Sequence, residues 1–232
     1  MMKVVLSIGG SVLAPELDPG RVAAYADAVA RMVDAGVELI CVVGGGGAAR
    51  SYIETARTLG ADEVTLDQLG IAVTRLNARL LQAALGDHAA AEIPTGYTAA
   101  VTAATQAPVV VMGGAVAGQT TDAVATAVAE RYGAELLVIA TSVDGVYDVD
   151  PHDDPSAEKF ETIGVDELIE LIVPMSRGAG SSAPVDLVAV KLLERTGMRA
   201  VVIDGTDPDA VVSAVVDGEH TGTEIIAGGT DT

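Results

Sequence analysis

Leu136-Leu-Val-Ile-Ala140, an unbroken apolar run, empties directly into Thr141-Ser-Val-Asp-Gly-Val-Tyr-Asp-Val-Asp-Pro151. The run has the length and character of a strand buried on both faces, and the segment after it is dense in hydroxyls and carboxylates, with one tyrosine. In an open parallel sheet, ligands bind outside the carboxyl ends of the strands, where loops meet helix N-termini. The junction therefore predicts an α/β sheet with a ligand site at its strand ends. Taken alone, the loop also fits a solvated acidic turn.

Working outward, similar apolar runs predict strands at 4–8, 38–43, 89–93, 109–112, 136–140, 199–203 and 223–226. Helical periodicity covers 19–35, 48–59, 63–85, 121–132, 165–171, 187–196 and 209–216. Fully apolar strands alternating with helices give an α/β fold, a three-layer α-β-α sandwich around a mainly parallel central sheet. We expect a single domain over 1–232. The one compositional break, 144–161, is polar and acidic with two prolines and reads as a long loop. The last five residues read as frayed.

Half of the residues are apolar but only 3% are aromatic, so the core must be built from Val, Ala, Leu and Ile. No apolar run approaches the roughly 18 residues of a membrane helix. The start, Met1-Met-Lys-Val-Val-Leu6, enters a strand at once, so no signal peptide is expected and the location is expected to be cytoplasmic. Cys41 is the only cysteine and reads as a buried core thiol. The formal net charge is −20, and Lys3, Lys159 and Lys191 are the only lysines. Such a surface repels nucleic acid and anionic membrane. Adaptation to a salt-rich cytoplasm explains it, because a Debye length of ~3 Å at 1 M salt makes self-repulsion tolerable.

Three more strand ends carry loops suited to ligands. The first strand ends in Gly9-Gly-Ser-Val-Leu13, where backbone N–H groups approach an anion without an intervening Cβ; a tight turn is the plainer reading. The second ends in Gly44-Gly-Gly-Gly-Ala-Ala-Arg50, four glycines that are costly to order for structure alone. That segment also spells a near dinucleotide fingerprint, a weak match because an earlier strand with its own Gly-Gly turn precedes it. Arg50, early in the next helix, adds a guanidinium to a helix N-terminus, or is simply solvated. The fourth expected strand leads into Gly113-Gly-Ala-Val-Ala-Gly-Gln-Thr-Thr-Asp122, a Gly-rich loop with two candidate N-cap threonines. A Walker A motif and a nucleophile elbow are absent, His88, His152 and His220 lack metal-ligand spacing, and Asp148, Asp150, Asp153 and Asp154 lack that of a calcium loop.

In this order, the motifs resemble the amino acid kinase superfamily and, within it, the archaeal type of uridylate (UMP) kinase. They are Ile8-Gly-Gly-Ser-Val-Leu13, Val43-Gly-Gly-Gly46 with Arg50, Asp67-Gln-Leu-Gly-Ile71, Gly118-Gln-Thr-Thr-Asp-Ala-Val-Ala125, Val143-Asp-Gly-Val-Tyr147 with Asp150-Pro151, and Ala179-Gly-Ser-Ser182. The resemblance covers essentially the whole chain. It implies transfer of the γ-phosphoryl of Mg-ATP to UMP, and a homohexamer. UMP would be held by Gly45, Asp67, Ala115, Val116, Ala117, Gly118, Gln119, Thr120 and Thr121, with Asp67 on the ribose hydroxyls. ATP would lie along Gly9, Gly10, Ser11, Gly46, Arg50, Thr141, Ser142, Tyr147 and Asp150. Asp144, Asp186 and Arg50 would be catalytic, with Mg²⁺ carried by ATP near Asp144 and no dedicated metal site. Phosphoryl transfer asks mainly for in-line placement and charge neutralisation.

The chain departs from the superfamily pattern in its cations. Ser7 stands where many members have a lysine, and Gly47, Ala48 and Gly178 stand where some relatives have basic residues. Positive charge is then left to Arg50, Arg177, Lys191, Mg²⁺ and backbone amides. An isopentenyl phosphate kinase is the nearest rival, disfavoured because Gly44–Arg50 has no histidine. Acetylglutamate or aspartate kinase is disfavoured by Asp186, and a nicotinamide dehydrogenase rests only on the weak Gly44 match. From a different class, a nucleotide- or oxyanion-binding protein without turnover would keep the same loops.

Overall fold

The computed structural model describes residues 1–149, 151, 154, 156–175 and 185–226. The chain opens with β1 (Met2–Ile8), the four-residue helix α1 (Gly10–Leu13), α2 (Pro19–Asp34) and β2 (Val37–Val43). Helices α3 (Gly46–Thr58), α4 (Glu63–Leu85) and α5 (Tyr97–Ala103) lead to β3 (Val109–Met112), followed by α6 (Thr121–Tyr132) and β4 (Leu136–Thr141). Then come β5 (Thr162–Gly164), α7 (Val165–Met175), α8 (Leu187–Thr196), β6 (Ala200–Asp204), α9 (Pro208–Val216) and β7 (Thr223–Ile226). They form one sheet in the order β3-β2-β1-β4-β6-β7-β5. The first five strands in that order are mutually parallel. β7 runs antiparallel to β6, and β5 pairs parallel with β7.

The central strands are apolar at most positions because both faces are covered. Successive side chains point to opposite faces of a strand. Val4, Leu6 and Ile8 of β1, with Leu39, Cys41 and Val43 of β2, pack with Tyr25, Met32, Leu81 and Val215 from α2, α4 and α9. The intervening Val5, Ile40 and Val42 pack on the opposite side with Val124, Val128, Leu168 and Leu193 from α6, α7 and α8. Full burial of each such side chain is worth about 1.5–3 kcal/mol relative to exposure. The expected three layers are thus the observed ones, and every core residue in them is aliphatic apart from a few, such as Tyr25. The Tyr25 hydroxyl donates to the Gly205 carbonyl at 2.5 Å. Cys41 is fully buried and its thiol is pushed up to about 12 by that burial, as befits an inert core residue.

Helix starts follow the capping signals. Asp18, Asp62, Thr120, Asp186 and Asp207 each accept a backbone N–H from the first turn of α2, α4, α6, α8 and α9. Gly133 and Gly197 end α6 and α8 in the left-handed conformation.

Three expectations change. Residues 89–93 make a single parallel bridge, Ala89 to Val109, instead of a strand. Three alanines there bring little area to bury, and Pro94 lacks a ladder donor. Helix α5 and the three-residue β5 were not anticipated; β5 is too short to show a period of its own, and its partner in β7 is distant in sequence, with Thr162 paired to Glu224. Helix α3 begins at Gly46, two residues before the expected 48, because its first turn is made from the glycines themselves.

Candidate active site at the carboxyl edge of the sheet

From β1 the chain moves outward to β2 and β3, then returns to place β4 on the other side of β1. The β1–β4 boundary is therefore the switch point where α/β sheets open a crevice at the strand ends. There Gly9, just after β1, donates its N–H to Ala140 O of β4 at 2.9 Å, and Gly44, just after β2, donates to Ile8 O of β1 at 2.8 Å.

The glycines make this convergence possible. A Cβ on Gly10 would stand 2.2 Å from Gly46 N and 2.5 Å from Gly44 O. Gly46 has φ of +62° and a Cβ there would meet Gly10 C at 2.5 Å. The two Gly-rich loops thus lie backbone against backbone, which no larger residue permits. Ser11 is exposed at the rim beside them. Arg50 is exposed on α3, with no ion pair among the described residues, so its guanidinium is uncommitted.

Helix α4 braces the next two loops. Asn77 Nδ2 donates to Gly44 O at 2.9 Å and Gly45 O at 3.2 Å. Thr74 Oγ1 accepts from Gly114 N at 2.7 Å, and Arg75 Nε donates to Gly114 O at 3.1 Å. Asp67, one turn or two earlier, accepts from Gly118 N at 2.7 Å through Oδ2. That bond brings together the two segments expected to hold the acceptor, Asp67 and 115–121. Within the loop, Gln119 Oε1 accepts from the Tyr97 hydroxyl. Val116 and Gly118 are exposed, Ala115 and Ala117 half-buried.

Thr120 caps α6 and donates its hydroxyl to Asp186 Oδ2 at 2.7 Å, while Asp186 Oδ1 accepts from Val188 N at 3.1 Å. Asp186, at the start of α8, is thus brought to the 115–121 loop by the packing of α8 against α6 on the same face of the sheet. Ser7 points from β1 toward α6 and donates to Asp122 Oδ1 at 2.7 Å. Burial raises the Asp122 carboxyl above the usual carboxylate range; the Ser7 bond opposes this and the Asp186 charge adds to it.

At the end of β4, Thr141 is half-buried, and Ser142 just after it is exposed. Asp144 Oδ1 accepts from the Tyr147 hydroxyl at 2.7 Å, and Oδ2 faces Lys159 Nζ at 2.8 Å. The lysine first, and the tyrosine second, hold Asp144 below the usual carboxylate range. Expected residues Asp150, Arg177 and 179–182 lie outside the described residues. Lys191 is paired with Glu194 on its own helix at 3.0 Å, so it is not a free cation of the site.

Sequence reasoning left out Asp122, Lys159, Thr74, Arg75 and Asn77. The α4 trio had a readable signal, since Thr74 and Asn77 interrupt an apolar helix at i, i+3 and so share its inward face. Asp122 reads locally as an acidic first-turn residue, and Lys159 as a solvated charge in an acidic loop.

The profile of the amino acid kinase family matches residues 2–204. The chain is 59% identical to a uridylate kinase of Halorubrum lacusprofundi over 230 residues, covering 99% of this chain and 95% of the relative. The chain belongs to the uridylate kinases of the amino acid kinase family. A uridylate kinase of Halobacterium salinarum is 56% identical, covering 99% of this chain and 95% of its own. The crystal structure of a uridylate kinase from Archaeoglobus fulgidus superposes with a TM-score of 0.86 at 42% identity, covering 97% of this chain and all of that one (100%). A UMP kinase from Bacillus anthracis shares the fold, with a TM-score of 0.79 at 23% identity over 98% of this chain and 96% of that one.

Proposed function

We infer that this chain is a UMP kinase that transfers the γ-phosphoryl of ATP to UMP, giving UDP and ADP in pyrimidine nucleotide synthesis. The likeness to uridylate kinases over nearly the whole chain supports the activity, and the 2.7 Å bond from Gly118 N to Asp67 Oδ2 carries the assignment of the acceptor half. A phosphate oxygen of UMP attacks the γ-phosphorus, the bond from that phosphorus to the β–γ bridging oxygen breaks, and ADP departs with the negative charge.

In this reading the chain works as one domain. Its first part holds UMP, with Asp67 on the ribose hydroxyls and the 115–121 loop around the nucleotide. The part from about 136 onward holds ATP, along Thr141, Ser142, Tyr147 and Asp150, with Gly9, Gly10, Ser11 and Gly46 near the phosphates. Arg50 supplies positive charge between the two, and Asp144 and Asp186 organise the reacting groups. Among the described residues no three His, Cys, Asp or Glu side chains are grouped to hold a metal; Mg²⁺ is taken to arrive on the nucleotide. Magnesium bound to the triphosphate would neutralise charge that the lysine-poor chain leaves unbalanced.

A homohexamer built from dimers fits the exposed apolar residues Tyr52, Leu59, Val64, Leu76 and Leu80 on the α3–α4 pair. No helix among the described residues is long and apolar enough to cross a membrane; a cytoplasmic location is part of the proposed reading. The acidic surface fits work in concentrated salt.

The test is ADP formation from Mg-ATP in molar KCl with UMP, dUMP, CMP, isopentenyl phosphate, acetylglutamate and aspartate as acceptors. Turnover confined to uridine monophosphates is expected. Turnover on isopentenyl phosphate or an amino acid would discard the acceptor assignment, and binding of ATP without any turnover would make the chain a nucleotide-binding protein.

A further inference from the structure

The three lysines are committed differently. Lys3 Nζ lies 4.8 Å from the Tyr132 ring centroid, and Lys191 pairs within its own helix. Lys159 alone makes a long-range ion pair, with Asp144 at 2.8 Å, and it also donates to the Thr221 carbonyl at 2.9 Å. Its side chain is 26% exposed and that of Asp144 46%, so the pair is partly shielded on the lysine side and open to solvent on the other.

The contact is built from backbone upward. Phe160 N donates to Val146 O at 2.9 Å and Asp148 N to Glu158 O at 3.1 Å, so that 146–148 and 158–160 run antiparallel with Tyr147 opposite Lys159. The lysine stem then crosses Gly145, where an added Cβ would stand 2.9 Å from Lys159 Cδ. Thr223 Oγ1 accepts from Val146 N at 2.8 Å and ties the same turn to β7. Lys159 is thereby anchored at a point shared by three segments: the turn after β4, the return strand and the approach to β7.

We propose that Lys159 is a positioning residue for the donor half of the site, acting through Asp144. With one oxygen held by Lys159 and the other by Tyr147, the Asp144 carboxylate is confined to one orientation and keeps a further lone pair on each oxygen. The ammonium also cancels its charge. Without Lys159, a bare carboxylate in a chain of net charge −20 would face an incoming polyphosphate. The acceptor groups, Asp67 and the 115–121 loop, lie near the start of α4 and after β3 and, among the described residues, share no bond with this cluster. Loss of Lys159 therefore acts on ATP and leaves UMP untouched. This rests on the reading of 141–150 as the donor side.

The experiment measures KM for ATP, KM for UMP and calorimetric ATP affinity in molar KCl for Lys159→Met, Lys159→Gln, Lys159→Arg, Asp144→Asn and the double variant Lys159→Met/Asp144→Asn. Thermal unfolding is followed in each. Lys159→Met is expected to raise KM for ATP about tenfold with KM for UMP within about twofold, and Lys159→Arg to recover most of the loss. Lys159→Gln, neutral and one bond shorter, is expected to raise KM for ATP as Lys159→Met does, and a wild-type KM for ATP in it would overturn the role of the charge. The double variant is expected to be no worse than Asp144→Asn, because a residue acting through its partner has nothing left to act on. Multiplying effects would overturn the proposal by showing that Lys159 serves ATP independently of Asp144. Equal rises in both KM values, or no recovery by arginine, would overturn it as well. If the wild type binds ATP without phosphorylating UMP, the proposed function fails while the ATP affinities still decide the role of Lys159. A wild type that does not bind ATP would sink both.

Discussion

Replacing Asp67 with asparagine tests the acceptor half most directly. Asp67 Oδ2 accepts from Gly118 N at 2.7 Å, a charge-assisted bond across 51 residues. Hydrogen bonds to charged groups contribute about 1.5–3 kcal/mol and neutral ones about 0.5–1.5 kcal/mol. Asparagine keeps an oxygen in the same place, so the change in this bond is about 1 kcal/mol. Because the bond sits in an exposed setting, the lower part of that range applies. A second contact, from the other carboxylate oxygen to a ribose hydroxyl, would add about as much. The sum of about 1–2 kcal/mol corresponds to a rise of about five- to thirtyfold in KM for UMP. KM for ATP should stay within about twofold, since among the described residues no donor-side group bonds to Asp67, and the unfolding midpoint should move little. Steady-state ADP formation at varied UMP and saturating ATP, then the reverse, reads both constants. An unchanged KM for UMP, or a rise confined to ATP, would refute the assignment of Asp67 and its loop to the acceptor.

Other expectations follow from particular contacts. Asp144→Asn should lower turnover at least tenfold while leaving the unfolding midpoint within a few degrees, and normal turnover would remove Asp144 from the reacting groups. Asp144 is held below its ordinary value, so its contribution to stability is present above about pH 3.9 and is lost as pH falls through its folded value. In Lys159→Met its NMR titration should move upward and that loss begin at higher pH; an unmoved titration would contradict the pair. Gly46→Ala forces a side chain into a left-handed position against the Gly10 backbone, and should cost about 2 kcal/mol or more, a fall in Tm of about 4–8 °C. Tyr97→Phe releases the Gln119 amide and should raise KM for UMP a few-fold without altering KM for ATP, which paired substrate titrations would check.

The local chemistry of this chain is legible in its sequence wherever neighbours in sequence decide the outcome. Runs such as Val4 to Ile8, broken only by Ser7, and Leu136 to Ala140 are apolar because both their faces are covered, and this announces a central parallel strand. Asp62, Thr120 and Asp186 announce helix starts because a cap bonds within three residues of itself. The glycines at 9–10 and 44–46 announce close approach, though not what approaches; the structure shows that it is chiefly each other. Such features need only the residue and its near neighbours.

Tertiary structure decided the rest, because a contact between distant residues depends on where whole elements are laid down. Strand order put β4 beside β1 and so set Ser7 opposite Asp122, 115 residues apart. The packing of α4 against the loop after β3 joined Asp67 to Gly118, and that of α8 against α6 joined Asp186 to Thr120. Residues 89–93 had strand composition but too little area to bury at the sheet edge, so they made one bridge only. Lys159 looks in sequence like one more solvated charge. Only the antiparallel return of 158–160 over Gly145 makes it the partner of Asp144, since a charge takes its meaning from the groups that the fold brings within bonding distance.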